Sequence, residues 1–273
     1  CHRTFCLEKI HIPVIDLPKG WQVEENLKEV RVPAGAEVTL QFKIRKKEFA
    51  PGESGFLRLR RVTEGKEELL LLRFQPVIAK RLPLSSRNFT IPDSAGKYPL
   101  ACVQAAREFD RNGNSAADCS VGWSPEGVAV TIRLADRDFL PPPPGKVFWE
   151  YDSAVIYFNQ KENAREGRKA YDADDLIFRI AQVAGKPVVL LGEEPRRCDR
   201  VSVRISHADG RTEYVLFFPA ELFHDLKLQP DARCGFSLEA INRDRNGRRA
   251  VFSLSPEHPH QNPFVWSNLI LTE

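Results

Sequence analysis

The side chains able to do chemistry fall in a few short runs. Asp172, Asp174 and Asp175 crowd the stretch Tyr171–Arg179, and Asp136 with Asp138 closes an apolar alternation. Glycoside hydrolysis needs two carboxylates held across the scissile bond. Acids at the ends of strand-like runs, however, are common turn formers that bond their own backbone. A structural turn is therefore the first reading of both clusters. Where Asp172, Asp174 and Asp175 act on a ligand, calcium suits them better than acid–base work, because a hard cation takes several oxygens from loops. His258 and His260 flank Pro259, and two imidazoles without a third ligand read as a solvated turn rather than a metal site. The sequence has no Gly-x-Ser-x-Gly elbow, no phosphate-cradling glycine loop, no His-Glu-x-x-His and no Gly-x-Gly-x-x-Gly. No catalytic residue is assigned, and the chain is not expected to be an enzyme.

The aromatic residues divide by context. Trp149 follows the proline run Pro141–Pro144 and Gly145, in a connection, which favours exposure of its flat ring. Trp123 sits on a strand shoulder, where core or turn packing is expected, and Trp21 belongs to an earlier segment. Arg179 lies inside an apolar alternation, where it either pairs with Asp152 or Asp175 or offers its guanidinium to a ligand.

The elements that must position these groups read as strands, because apolar and polar residues alternate with period two. Val38, Leu40, Phe42 and Ile44 form one such run, Leu57 and Leu59 a second, and Glu68 to Phe74 a third. Residues 1–81 are expected to form a small immunoglobulin-like β domain. Residues 82–117 carry Pro83, Ser85, Ser86, Pro92, Gly96 and Pro99 and read as a linker or entry segment, with room for a short helix over 103–109.

From 118 to 273 the strands come in series: Val128 to Leu134, Ala154 to Phe158, Leu176 to Ile180, then 201–205, 214–218, 236–240, 250–254 and 268–271. Turn signals such as Pro125-Glu126-Gly127, Ala208-Asp209-Gly210 and Asn246-Gly247 separate them. Pro219 opens a brief helix over 219–223. The expected class is all-β, an antiparallel β-sandwich.

Composition narrows the function classes. Forty Lys and Arg against 37 Asp and Glu leave a net charge of +3, with the signs interleaved. The runs Arg45-Lys46-Lys47 and Arg58-Leu59-Arg60-Arg61 sit inside alternating patterns and read as a solvated sheet face, so no nucleic-acid partner is expected. No apolar run approaches the ~20 residues of a spanning helix. A leading Cys1 is what a processed bacterial lipoprotein carries, so Cys1 is a candidate lipid anchor or equally a chain boundary. An extracellular, cell-surface or periplasmic location is expected. The six cysteines form no CxxC pair; buried thiols or bridges are both open, with Cys102–Cys119 and Cys198–Cys234 the first pairs to test. Asn88 begins an Asn-x-Thr sequon.

The segment Phe148-Trp149-Glu150-Tyr151-Asp152-Ser153-Ala154-Val155-Ile156 resembles the Trp-x-x-Asp-Ser-Val-Glu-Ile strand of family-nine carbohydrate-binding modules. Tyr171 to Ile180 is similar to that family's acidic turn followed by a strand bearing an arginine. Asp118 to Asp138, Phe218 to Leu222, Asn242 to Arg248 and Trp266 to Leu271 continue in the family's order, so the resemblance spans roughly 82–273. It implies a sandwich that grips a sugar between aromatic planes, with a few polar side chains fixing the hydroxyls. Trp149 stands where one sandwiching tryptophan is expected and Arg179 where the arginine is, with Asp152 and Trp266 as the other candidate ligand-binding residues. Two positions depart: Val155 replaces the glutamate, and Phe252 and Leu254 stand where a second tryptophan often lies. Trp266 replaces it only if its loop folds over the same face.

The expected function is therefore a non-catalytic carbohydrate-binding or carbohydrate-associated surface module, with structural calcium the only candidate cofactor. The alternative is a structural or protein-interaction sandwich that has lost the sugar site. Haem-binding relatives of this sandwich commonly use a methionine ligand, and this chain has none.

Overall fold

The computed structural model describes residues 7–10, 21–23, 30–33, 44–46, 55–63, 66–74, 76–105, 116–161, 163, 170–255 and 259–273. Among the described residues the period-two runs form strands, and the helical content is limited to single 3-10 turns. The chain divides between Gln75 and Pro76 into two units.

In the first unit the strands are β1 (Leu7–Ile10), β2 (Trp21–Val23), β3 (Val30–Pro33), β4 (Ile44–Lys46), β5 (Gly55–Thr63) and β6 (Lys66–Phe74). One sheet runs β3-β1-β5-β6, and β2 pairs with β4. The hairpin β5–β6 sets Leu57 opposite Leu72 and Leu59 opposite Leu70. Val38, Leu40 and Phe42 lie outside the described residues.

The second unit holds β7 (Pro76–Arg81), β8 (Tyr98–Pro99), β9 (Ala101–Ala105), β10 (Ala117–Ser124), β11 (Gly127–Ala135), β12 (Ser153–Asn159) and β13 (Asp175–Val183). It continues with β14 (Lys186–Leu191), β15 (Arg196–Arg197), β16 (Ser202–Ala208), β17 (Arg211–Pro219), β18 (Arg233–Arg243), β19 (Arg249–Ser253) and β20 (Ser267–Thr272). Hydrogen bonding links all fourteen strands: eleven run in the order β15-β14-β13-β12-β18-β20-β7-β10-β11-β17-β16, while β8 pairs with β10, and β19 pairs with β18 and β9. The eleven-residue strand β18 joins the two halves: its first residues pair with β20, and Glu239–Arg243 pair with β19. The sheet thereby curls over one core. Ile156 and Phe158 of β12, Phe178 of β13 and Phe236 and Leu238 of β18 meet Val130 and Ile132 of β11 in a single apolar cluster. Phe158 lies edge-on to Phe178, Phe218 and Phe223, the geometry aromatic quadrupoles prefer. Pairing is antiparallel except at β7, which runs parallel to both β10 and β20.

Several sequence expectations change. The unit that holds the sandwich begins at Pro76, ahead of the start expected at residue 118, and Val77 and Ala79 of β7 are core residues. Residues 82–95, expected as a linker, lie as a strap on the outer face of β11 and β17, where Leu84, Ile91 and Ala95 pack on Ala129 and Phe217. Their apolar residues are spaced without a period, which hid the burial. Gly122 makes room for the strap: a Cβ there would lie 2.6 Å from Leu82 Cδ1. The short helix expected over 103–109 is replaced at its start by β9, and residues 106–109 lie outside the described residues. That expected over 219–223 is one 3-10 turn, Ala220–Leu222.

Cys102, Cys119, Cys198 and Cys234 are not disulfide-bonded, so neither tested pairing forms. Cys119, Cys198 and Cys234 fill core positions as small hydrophobes.

Gly127 opens β11 where no side chain fits: a Cβ would sit 2.3 Å from the Phe218 carbonyl oxygen and 2.6 Å from Phe217 Cζ. Gly127→Ala is expected to cost about 2–3 kcal/mol, read as a lower urea midpoint. An unchanged midpoint would show that β11 can slide away from β17.

Candidate functional site

The alternation that turns Ile156, Phe178 and Leu238 into the core turns their neighbours onto the opposite face of the same strands. That outer face carries Val155 and Tyr157 of β12, Ile177 and Arg179 of β13, and Ser237 and Glu239 of β18. Register sets Val155 directly between Arg179 and Glu239, and Tyr157 between Ile177 and Ser237.

An aromatic layer covers part of this face. Trp266 lies on Tyr157 with ring centroids 5.2 Å apart, and Tyr171 lies 6.5 Å from Tyr157 and 6.3 Å from Trp266. The chain before Trp266 is latched in place: its indole Nε1 donates to the Pro259 carbonyl at 2.9 Å, and the Gln261 N–H donates to Tyr171 Oη at 2.8 Å. His260 Nδ1 lies 3.0 Å from the same hydroxyl.

Glu239 is only 3 % exposed, and Tyr157 Oη donates to its Oε2 at 2.6 Å. Burial, reinforced by the Glu239 charge, pushes the Tyr157 hydroxyl well above the usual tyrosine range. Burial likewise pushes Tyr171 up to about 12, against the opposing pull of the Gln261 N–H and the Arg179 charge. Both hydroxyls therefore keep their protons at neutral pH. Arg179 is half-buried, donates from Nη1 to the Gly192 carbonyl, and bears electrostatically on both tyrosines.

Trp149 stands on the 3-10 turn Phe148–Glu150, which packs against β13 and β18. Phe148 is buried as the anchor of this turn, while Trp149 is 49 % exposed. Among the described residues, Trp149 and Val147 are the exposed large hydrophobic side chains.

No protein-family model matches the chain, and no curated protein matches it. Its structure is similar to that of a family-nine carbohydrate-binding module from Caldicellulosiruptor kristjanssonii. The complex of that module with glucose superposes with a TM-score of 0.56 at 12 % identity, covering 72 % of this chain and 96 % of that one. Its complex with cellotriose gives 0.55 at 12 % identity, over 72 % and 94 %. The fold is that of a family-nine module.

Of the four candidate ligand residues, Trp149 is exposed beside the Arg179 strand. The other two are placed differently from expectation. Asp152 is fully buried: its carboxylate accepts the Leu140 N–H and, at 2.6 Å, the Arg243 N–H. It ties the start of the proline run to the end of β18, so it is a structural brace rather than a ligand contact. Trp266 does fold over the outer face, but it is 6 % exposed and its indole N–H is spent on Pro259. Arg179 pairs with neither Asp152 nor Asp175 among the described residues.

The acidic turn is also spent locally. Asp175 accepts the Asn159 side-chain amide at 2.8 Å and the Asp172 N–H at 2.8 Å, and Asp174 accepts the Lys161 N–H at 3.3 Å. Among the described residues no three acidic, imidazole or thiol side chains gather to hold a metal, so Asp172, Asp174 and Asp175 do not form the expected calcium cluster. His258 lies outside the described residues.

Glu239, Tyr157 and Tyr171 were not singled out from the sequence. A glutamate at the outward position of the run Phe236-Ser237-Leu238-Glu239-Ala240 reads as an ordinary solvated residue until its neighbours are known. The one signal was register: Val155 leaves an acceptor missing, and the adjacent strand supplies a carboxylate beside it.

Proposed function

We propose that the second unit is a non-catalytic carbohydrate-binding module whose ligand lies against Trp149 and the outer face of β12, β13 and β18. The exposed Trp149 indole carries this reading. An aromatic plane held in solvent costs hydrophobic free energy and offers the apolar C–H face of a sugar ring a stacking surface. On the outer face, Arg179 supplies guanidinium donors and Tyr171 a protonated hydroxyl, the sparse polar set that orients a ligand. Glu239 is the carboxylate this face carries beside Val155, and it is held by the Tyr157 hydroxyl. The module would work outside the cell or in the periplasm, the location expected of a glycan-recognition domain.

Calorimetry of the whole chain against glucose, cellotriose and a broad glycan panel tests the reading. Binding is expected, and Arg179→Ala is expected to weaken it by about tenfold or more, the worth of a charged hydrogen bond. A second reading has its own support: Glu239, Arg179 and the Trp266 indole already bond within the protein, as a face that has lost its ligand would. Failure of every glycan to bind would favour that structural or protein-interaction role and end the first.

A further inference from the structure

We propose that Arg249 and Arg243 are positioning residues that clamp the turn bearing Trp149, so that the exposed indole is presented in one pose. The inference rests on the sugar-binding reading above. A three-residue 3-10 turn has little hydrogen bonding of its own; here the Tyr151 N–H to Phe148 carbonyl bond, 3.0 Å, closes it. The next two carbonyls, those of Trp149 and Glu150, accept no backbone N–H among the described residues and would be left to water.

Each instead meets a guanidinium. Arg249 Nη1 donates to the Trp149 carbonyl at 2.9 Å, and Arg243 Nη1 donates to the Glu150 carbonyl at 2.9 Å. The two arginines are register partners at the paired ends of β18 and β19, so the end of this strand pair presents both donors together. Neither side chain is otherwise loose. Arg249 Nη2 reaches Gln104 Oε1 on β9 at 3.2 Å, and the Arg243 guanidinium stacks 4.9 Å from the centre of the Tyr151 ring. A planar fork holds two such acceptors in fixed, separated directions, where a lysine ammonium is a single compact point on a flexible stem.

The clamp bears on recognition rather than on folding. All these contacts are exposed, and exposed ionic contacts add little to stability. A stacking platform fixed before the ligand arrives, by contrast, spares the cost of ordering it on binding.

The test uses the full chain with Arg249→Ala, Arg249→Lys and the double variant Arg243→Ala/Arg249→Ala. Trp149 emission is isolated by difference from Trp149→Phe, and its anisotropy and acrylamide quenching are measured without ligand. The alanine variants are expected to lower the anisotropy and raise the quenching at an unchanged melting temperature, with Arg249→Lys in between. Affinity for cellotriose should fall about five- to tenfold. Wild-type anisotropy and quenching in the double variant would overturn the clamp. Should cellotriose and every other sugar fail to bind the wild type, the sugar reading falls. A loosened Trp149 would still establish the clamp in that case.

Discussion

Trp149→Ala is expected to weaken sugar binding about thirtyfold or more while leaving the sandwich standing. The two halves of that expectation have separate causes. The indole is half in solvent, its turn is anchored by the neighbouring Phe148, and its own backbone carbonyl is held by Arg249 whatever side chain it carries. Truncating an exposed side chain away from caps and cores changes stability by about 0.5 kcal/mol or less. A stacking aromatic at the centre of a small contact, by contrast, is the type of residue whose loss costs about 2 kcal/mol or more, roughly thirtyfold in affinity. Calorimetry and a thermal melt on the same preparation decide it. Full affinity with the indole gone would place the ligand elsewhere, and lost affinity with a collapsed melt would show a structural role instead.

The strands of this fold were legible because one physical rule writes them. Val128, Val130, Ile132 and Leu134, then Ala154, Ile156 and Phe158, then Leu176, Phe178 and Ile180 recur at every second position, and each set lies in or against the core from one strand. The strap of residues 82–95 was not legible, since Leu84, Ile91 and Ala95 are buried singly under an irregular backbone and leave no period. The same limit governs the site. Trp149 could be found from its proline-rich connection, a local property. Glu239 and Tyr157 could not, because what makes them a pair is the pairing of β12 with β18 across 82 positions of sequence. Asp152 is buried between the Leu140 and Arg243 N–H groups for a related reason: whether a carboxyl faces ligand or backbone depends on which N–H groups the fold brings to it.

That carboxylate should leave a signature in the pH dependence of stability. Burial, and after it the nearby Asp136 charge, raise the Asp152 pKa from the ordinary carboxylate range to about 8. Below roughly pH 4 the folded and unfolded chains both carry the proton. Between about 4 and 8 the unfolded chain has released it and the folded chain has not, so the folded state loses ground as pH rises. One retained proton sets a slope of up to about 1.4 kcal/mol per pH unit across that window. For a domain of this size a 1 kcal/mol loss lowers the melting temperature by about 2–4 °C, so stability should drop visibly between pH 5 and pH 7. Asp136 is raised in the same direction by its own burial and adds a smaller contribution of the same sign.

Asp152→Asn separates the two. The amide cannot titrate, and it can accept only one of the two N–H groups from Leu140 and Arg243, which leaves the other buried without its bond. The variant is therefore expected to be about 1–3 kcal/mol less stable at pH 5, with a clearly flatter fall towards pH 8 than the wild type. Parallel profiles for the two proteins would mean that Asp152 is ionised in the folded state, held there by its two backbone donors against the cost of burial.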